Sequence, residues 1–135
     1  MREYGGVEEH GFEVFVVRVD GHHLYAACQS YDGEDVETRD TARKIDENTG
    51  EVVWECEHGG VVDCVHVHGD HLYTGCGDGR ARKIDTRTGG VVWECEHGGD
   101  GRCGHVDGDH LSGGWDDGMA RKIDKRTGGV VWACK

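Results

Sequence analysis

The sequence has no proline, two serines (Ser30 and Ser112) and five lysines among 135 residues. Each shortage removes a class of function. With 15 Lys and Arg against 27 Asp and Glu, the formal charge is −12. Nucleic-acid affinity rests on clustered cations, so no nucleic-acid partner is expected. Docking on anionic lipid needs a polybasic segment, which is also missing. No apolar run approaches the roughly 20 residues of a membrane-spanning helix, so no membrane insertion is expected. Neither serine lies in a Gly-x-Ser-x-Gly nucleophile turn. The N-terminal MREYGGVEEH lacks a signal-peptide core. A cytoplasmic location, or one on the surface of a virion or other assembly, is expected.

What the chain has in abundance is glycine, 24 residues, and repetition. ARKID occurs at 42–46, 81–85 and 120–124, a step of 39 each time. TGEVVW at 49–54 and TGGVVW at 88–93 and 127–132 keep that step. GHHLY at 21–25, GDHLY at 69–73 and GDHLS at 108–112 step by 48 and then 39, so the first repeat carries nine extra residues. The frame is a lead at 1–9, then repeats at 10–57, 58–96 and 97–135. Repeats two and three are identical at 26 of 39 positions, the mark of a duplication.

Each repeat reads as four short strands with turns between them. In repeat two these are VVDCVHV (61–67), HLYTGCG (71–77), RARKID (80–85) and VVWECE (91–96). Glycine recurs too often for helix, and no 3.6-residue apolar period survives between the glycines. In the last strand, period-two alternation puts Val91, Trp93 and Cys95 on one face.

A four-stranded unit of about 40 residues in tandem is the pattern of a β-propeller blade. The expected fold is therefore all-β, with three four-stranded blades per chain. The segment Asp85-x-x-Thr88-Gly89-x-x-x-Trp93, repeated as Asp46 to Trp54 and Asp124 to Trp132, resembles the tryptophan-docking motif of quinoprotein-type (PQQ-like) propellers. The frame of His58-Gly59, Asp78 and Ile84-Asp85 is similar to a WD-repeat. Isoleucine stands in place of that family's Trp, so its His–Ser/Thr–Asp–Trp network is incomplete. The chain also resembles the short-repeat propellers of haloarchaeal genomes and their viruses. That implies a high-salt setting, where salt screens the repulsion among the carboxylates.

Rings usually hold four to eight blades, and three leave two blade faces bare. The expected partner is a second copy, as a homodimer closing a six-bladed ring, or another propeller-containing chain. A fragment or engineered array of repeats with no independent function is the further alternative.

The copied positions His10, His58, His97, Asp78, Asp117, Trp54, Trp93 and Trp132 are read as structural, with each histidine bonding an aspartate inside its blade. The seven cysteines are odd in number and lack a CxxC pair. Free thiols packing as small apolar groups are expected, rather than a disulfide framework or a zinc site. Departures from the copy carry more information. The nine-residue insertion falls within 29–41, between the second and third strands of repeat one, as an acidic loop. Trp115 replaces the cysteine found at Cys28 and Cys76. A loop that breaks a repeat is a candidate recognition surface. Tyr31, Asp32, Glu34, Asp35, Trp115 and Asp116 are therefore the expected binding rim, for an unidentified protein or glycan.

The functional expectation is a non-enzymatic scaffold or binding module, with no catalytic residue, metal or cofactor. The resemblance to quinoproteins implies the alternative, a quinone-dependent or metal-dependent enzyme. Those enzymes hold their quinone beside calcium in a much longer chain.

Overall fold

Every alternating stretch between two glycine turns forms one strand. The computed structural model describes residues 10–32, 38–96, 101–115 and 119–134. Blade 1 contains β1 (His10–Asp20), β2 (His23–Asp32), β3 (Thr38–Asp46) and β4 (Val52–His58). Blade 2 contains β5 (Val62–His68), β6 (His71–Cys76), β7 (Arg80–Asp85) and β8 (Val91–Glu96). Blade 3 contains β9 (Gly101–Asp107), β10 (His110–Trp115), β11 (Ala120–Asp124) and β12 (Val130–Cys134). Each blade is an antiparallel sheet in chain order, and no helix occurs among the described residues. The inner strands β1, β5 and β9 lie side by side, with β4, β8 and β12 outermost.

The core lies between the sheets. Tyr25, Ala27, Ala42 and Cys56 of blade 1 pack on Val62, Val65, Leu72 and Ile84 of blade 2. Tyr73 and Ala81 of blade 2 pack in the same way on Leu111 and Ile123 of blade 3. A blade thus presents two different apolar faces, one to its predecessor and one to its successor.

The outer strands correct one expectation. Ile84 pairs with Val91 and Lys83 with Trp93, so Val92 is an extra residue and β8 bulges there. The bulge breaks strict alternation. Trp93 and Cys95 turn inward, while Val91 and Val92 stay 43% and 51% exposed. The same irregularity falls before Trp54 and Trp132.

The insertion in blade 1, expected as a loop within 29–41, is in part strand, while residues 33–37 lie outside the described residues. β2 runs on through Asp32 and β3 begins at Thr38, with Tyr31 paired to Thr38. β1 lengthens to match, pairing His10 with Asp32. The extra residues have sufficient alternation to continue the ladder, so the insertion is in part a taller sheet.

The Asp-x-x-Thr-Gly segment builds the turn between the third and fourth strands. In blade 2 the Asp85 carboxylate accepts from the Arg87 amide (2.8 Å) and the Thr88 hydroxyl accepts from the Gly90 amide (3.1 Å). The Gly89 amide donates to the Asp85 carbonyl (2.8 Å). These bonds bring Gly89 to φ +80°, a left-handed conformation that glycine adopts without strain. A methyl there would lie 2.7 Å from Cδ2 of Trp54. Gly128 has the same relation to Trp93, at φ +79° and 2.7 Å from Cε3.

Gly89→Ala therefore faces backbone strain and a collision, whereas Gly69→Ala, at φ +64° with nothing within 4 Å, faces strain alone. Strain costs about 1 kcal/mol and overpacking a further 1–3 kcal/mol. Urea denaturation should show Gly89→Ala losing about 3 kcal/mol and Gly69→Ala about 1 kcal/mol. Equal losses would mean that the Trp54 ring does not rest on the turn.

Candidate functional site

Two structural joints connect neighbouring blades. At the outer rim, the Trp54 indole N–H and the Lys44 ammonium both donate to the Thr86 carbonyl, each at 2.8 Å. One blade later, Trp93 and Lys83 donate to the Lys125 carbonyl at 2.7 and 3.0 Å. The acceptor is backbone, so the residue that carries it can vary.

The second joint centres on His58, which closes β4 and is buried. Its Nδ1 lies 3.0 Å from the Cys56 carbonyl and its Nε2 lies 3.0 Å from the Thr74 hydroxyl on β6. A carbonyl only accepts, so Nδ1 carries the proton and Nε2 accepts from Thr74. Asp78 has a different partner from the one expected for it. Its carboxylate takes the Arg82 guanidinium at 2.6 Å and the Arg80 amide at 3.0 Å. Burial works to raise the Asp78 carboxyl, but the Arg82 guanidinium, the Cys76 thiol and the Arg80 amide together outweigh it and hold the group below its ordinary value.

The two outermost blade faces differ sharply from the internal ones. Val14, Val17 and Val19 of blade 1 occupy the positions of Val62, Val65 and Val67 in blade 2, 48 residues on. Val62 and Val65 are 1% and 0% exposed, while Val14, Val17 and Val19 are 48%, 44% and 63% exposed. At the other end, Trp132 is 48% exposed and Cys134 is also exposed.

Of the expected rim residues, only Tyr31, Asp32 and Trp115 are placed, by their backbone, at the end of the sheets that bears His58. Tyr31 and Asp32 end β2, and Trp115 ends β10; their side chains lie outside the description. Glu34, Asp35, Asp116, Asp117 and His97 lie outside the described residues, and His10 is placed by its backbone at the start of β1. Beside the hairpin, Arg39 pairs with Glu55 and with Glu57, exposed contacts of small energetic weight.

The cysteines correct the expectation of free thiols throughout. Cys64, on the inner strand β5, is disulfide-bonded, whereas Cys28, Cys56, Cys76, Cys95 and Cys134 are in no disulfide. An odd total conceals a pair, and counting alone does not register which copied positions the blades bring together. Burial pushes the Cys76 and Cys95 thiols up to about 11, so neither is a thiolate nucleophile at neutral pH.

No group of three or more His, Cys, Asp or Glu side chains converges on a metal position among the described residues. Sequence reasoning also missed Lys125. This buried side chain donates to the Gly108 carbonyl at 2.6 Å and to Nδ1 of His68 at 2.8 Å. The signal was available, since Glu47, Thr86 and Lys125 all differ at one position of the copied segment, where the other two varying positions keep the same residue in blades 2 and 3.

Four-stranded sheets in series, with inner strands adjacent and tryptophans docked on the next blade, define a β-propeller module. The sequence profile of the family described as outer membrane protein assembly factor BamB matches residues 38–135. The chain belongs to that family. Among solved structures it is similar to the computationally designed Ika8 protein, with TM-score 0.75, 15% identity, and coverage of 90% of this chain and 36% of that one. It is similar to the quinohemoprotein alcohol dehydrogenase of Comamonas testosteroni, with TM-score 0.69, 20% identity, and coverage of 95% and 23%. It is similar to BamB from Moraxella catarrhalis, with TM-score 0.65, 17% identity, and coverage of 89% and 48%. At these identities the likeness concerns the fold, and the chain spans less than half the length of each. No curated protein matches it in sequence. No helix of the described residues is long and apolar enough to cross a membrane.

The His58 joint makes stability depend on pH. Burial, then the nearby Arg82 charge, lowers its pKa from 6.5 to about 4. Between those values the unfolded chain binds a proton that the folded chain refuses, so stability falls as pH falls. The full window corresponds to about 3 kcal/mol. Denaturant midpoints should drop from pH 6.5 to pH 4, and His58→Gln should flatten that slope by about one proton. An unchanged slope would remove His58 as its source.

Proposed function

We propose that this chain is a non-enzymatic propeller module that holds a partner protein on the rim around the blade 1 hairpin. The observation that carries the reading is the continued ladder of β1, β2 and β3. In a chain of near-copies, only blade 1 is extended among the described residues, and it is extended as paired sheet. An ordered projection supplies a firmer recognition surface than a solvated loop would. Tyr31, Asp32, Glu34, Asp35, Trp115 and Asp116 are assigned to that surface. The family's description as an assembly factor supports a protein partner over a glycan. Burial raises the Cys76 and Cys95 thiols, which makes both poor nucleophiles at neutral pH.

The setting follows from two features. Disulfides persist in oxidising surroundings, so the Cys64 bond favours a virion or cell-surface assembly over the cytoplasm. The charge of −12 fits a high-salt milieu, as in haloarchaea or their viruses. Thermal unfolding should then move to lower temperature as salt falls below about 1 M, where long-range screening weakens. A melting temperature independent of salt would count against that origin.

The rim itself is tested by shortening the hairpin to the length of its counterpart in blade 2. Removing nine residues within 29–41 should abolish capture of proteins from an extract of the source organism, with the circular dichroism spectrum preserved. Capture that survives the deletion would place the binding surface elsewhere.

A further inference from the structure

The two internal joints are templates for a third that one chain cannot form. In each, a tryptophan lies on the positive-φ glycine of the following blade and donates to a carbonyl in the same turn. Trp54 takes Gly89 and the Thr86 carbonyl, and Trp93 takes Gly128 and the Lys125 carbonyl. The repeat extends this series in both directions. Counting back, the next socket is Gly50 with the carbonyl of Glu47. Counting forward, the next plug is Trp132, beside Lys122.

The Gly50 socket has the same form as the other two. Its φ is +78°, against +80° and +79° for Gly89 and Gly128. The Gly50 amide donates to the Asp46 carbonyl at 2.8 Å, as Gly89 does to Asp85. The Asp46 carboxylate and Thr49 hydroxyl accept the turn amides of Asn48 and Glu51 as their copies do. Where the other two glycines lie under an indole, no described residue lies within 4 Å of a methyl built on Gly50. Below it, the face bearing Val14, Val17 and Val19 retains the side chains that blade 2 buries against blade 1.

We infer that a second copy of this chain occupies that face, with its Trp132 resting on Gly50 and its Trp132 and Lys122 donating to the Glu47 carbonyl. This rests on the reading of the chain as a propeller module and names its structural partner. One chain carries one plug and one socket, so the contact is head-to-tail and continues until the ring closes. Two copies give six blades, within the usual four to eight, and three copies give nine, outside it. The dimer therefore contains the same joint twice.

The test is the solution mass, measured in high salt to screen the −12 charge of each copy. The wild type should have twice the chain mass of 14.8 kDa. Trp132→Ala should run as a folded monomer. Gly50→Ala should do the same, because its methyl occupies the seat of the indole, and it keeps the test decisive if the tryptophan variant fails to fold. Gly69→Ala bears comparable backbone strain in blade 2 and should remain a dimer. An equimolar mixture of Trp132→Ala and Gly50→Ala should recover dimers, since one intact plug meets one intact socket. A monomeric wild type, a trimer or larger assembly, or a dimer that persists in both variants would overturn the inference. Partner capture by a monomeric wild type would overturn the ring alone, and a dimer that captures nothing would overturn the rim alone.

Discussion

Everything in this fold depends on one contact, the indole of an outer strand docked on the turn of the following blade. A single four-stranded sheet of this composition cannot bury enough apolar surface to be stable, with hydrophobic residues at 36%. Its apolar side chains divide between two faces, so the blade becomes a folded unit only when both are covered. The tryptophan fixes the outer edge of the stack by its bond to the turn carbonyl and its contact with the glycine. The glycine beneath it is the condition for that closeness, because any side chain there would hold the ring away.

The inner joint works by different chemistry. His58 remains neutral by being buried beside Arg82, and only the neutral ring can accept from Thr74 while donating to Cys56. Arg82 has Asp78 as its counter-ion, so the cation that excludes a proton from His58 is itself neutralised within hydrogen-bond distance. Lys125 shows the same economy in blade 3. Its ammonium is capped by a carbonyl and an imidazole nitrogen and lies 5.6 Å from the centroid of the Tyr73 ring. His58, Arg82 and Lys125 thus occupy the interior because each has a polar partner there, which helps so acidic a chain to assemble a core.

Much of this was legible in the sequence. The strands of blade 2 fall almost residue for residue on the alternating stretches, because glycine turns punctuate them and a half-buried strand must alternate. The docking turn was legible as well, since Asp85, Thr88, Gly89 and Trp93 recur together. What escaped was whatever depends on geometry between elements. The paired valines obeyed the alternation rule on paper, but a bulge in the outer strand turned Val91 outward. The insertion was polar enough to read as a loop, yet its backbone could continue the ladder of β2 and β3. Cys64 and Lys125 acquired their partners only when neighbouring blades were brought together. Of the expected rim, Glu34, Asp35 and Asp116 lie outside the described residues. The sequence pointed to them by their departure from the repeat alone.

A backbone acceptor at the outer joint also explains the pattern of drift among the copies. Glu47, Thr86 and Lys125 present the same carbonyl with unrelated side chains, so this position is free to vary without disturbing the contact. The tryptophan and glycine on either side have no such latitude and remain unchanged in all three blades. A joint built in this way is portable, since any blade with the turn accepts any blade with the indole. Portability matters most at the ends of the array. When the same joint forms twice in one ring, the first contact makes the second intramolecular, at an effective concentration far above that of the free chains. Each contact can then be modest. In the proposed dimer each contact would need only the apolar side chains that Val14, Val17 and Val19 leave about half exposed.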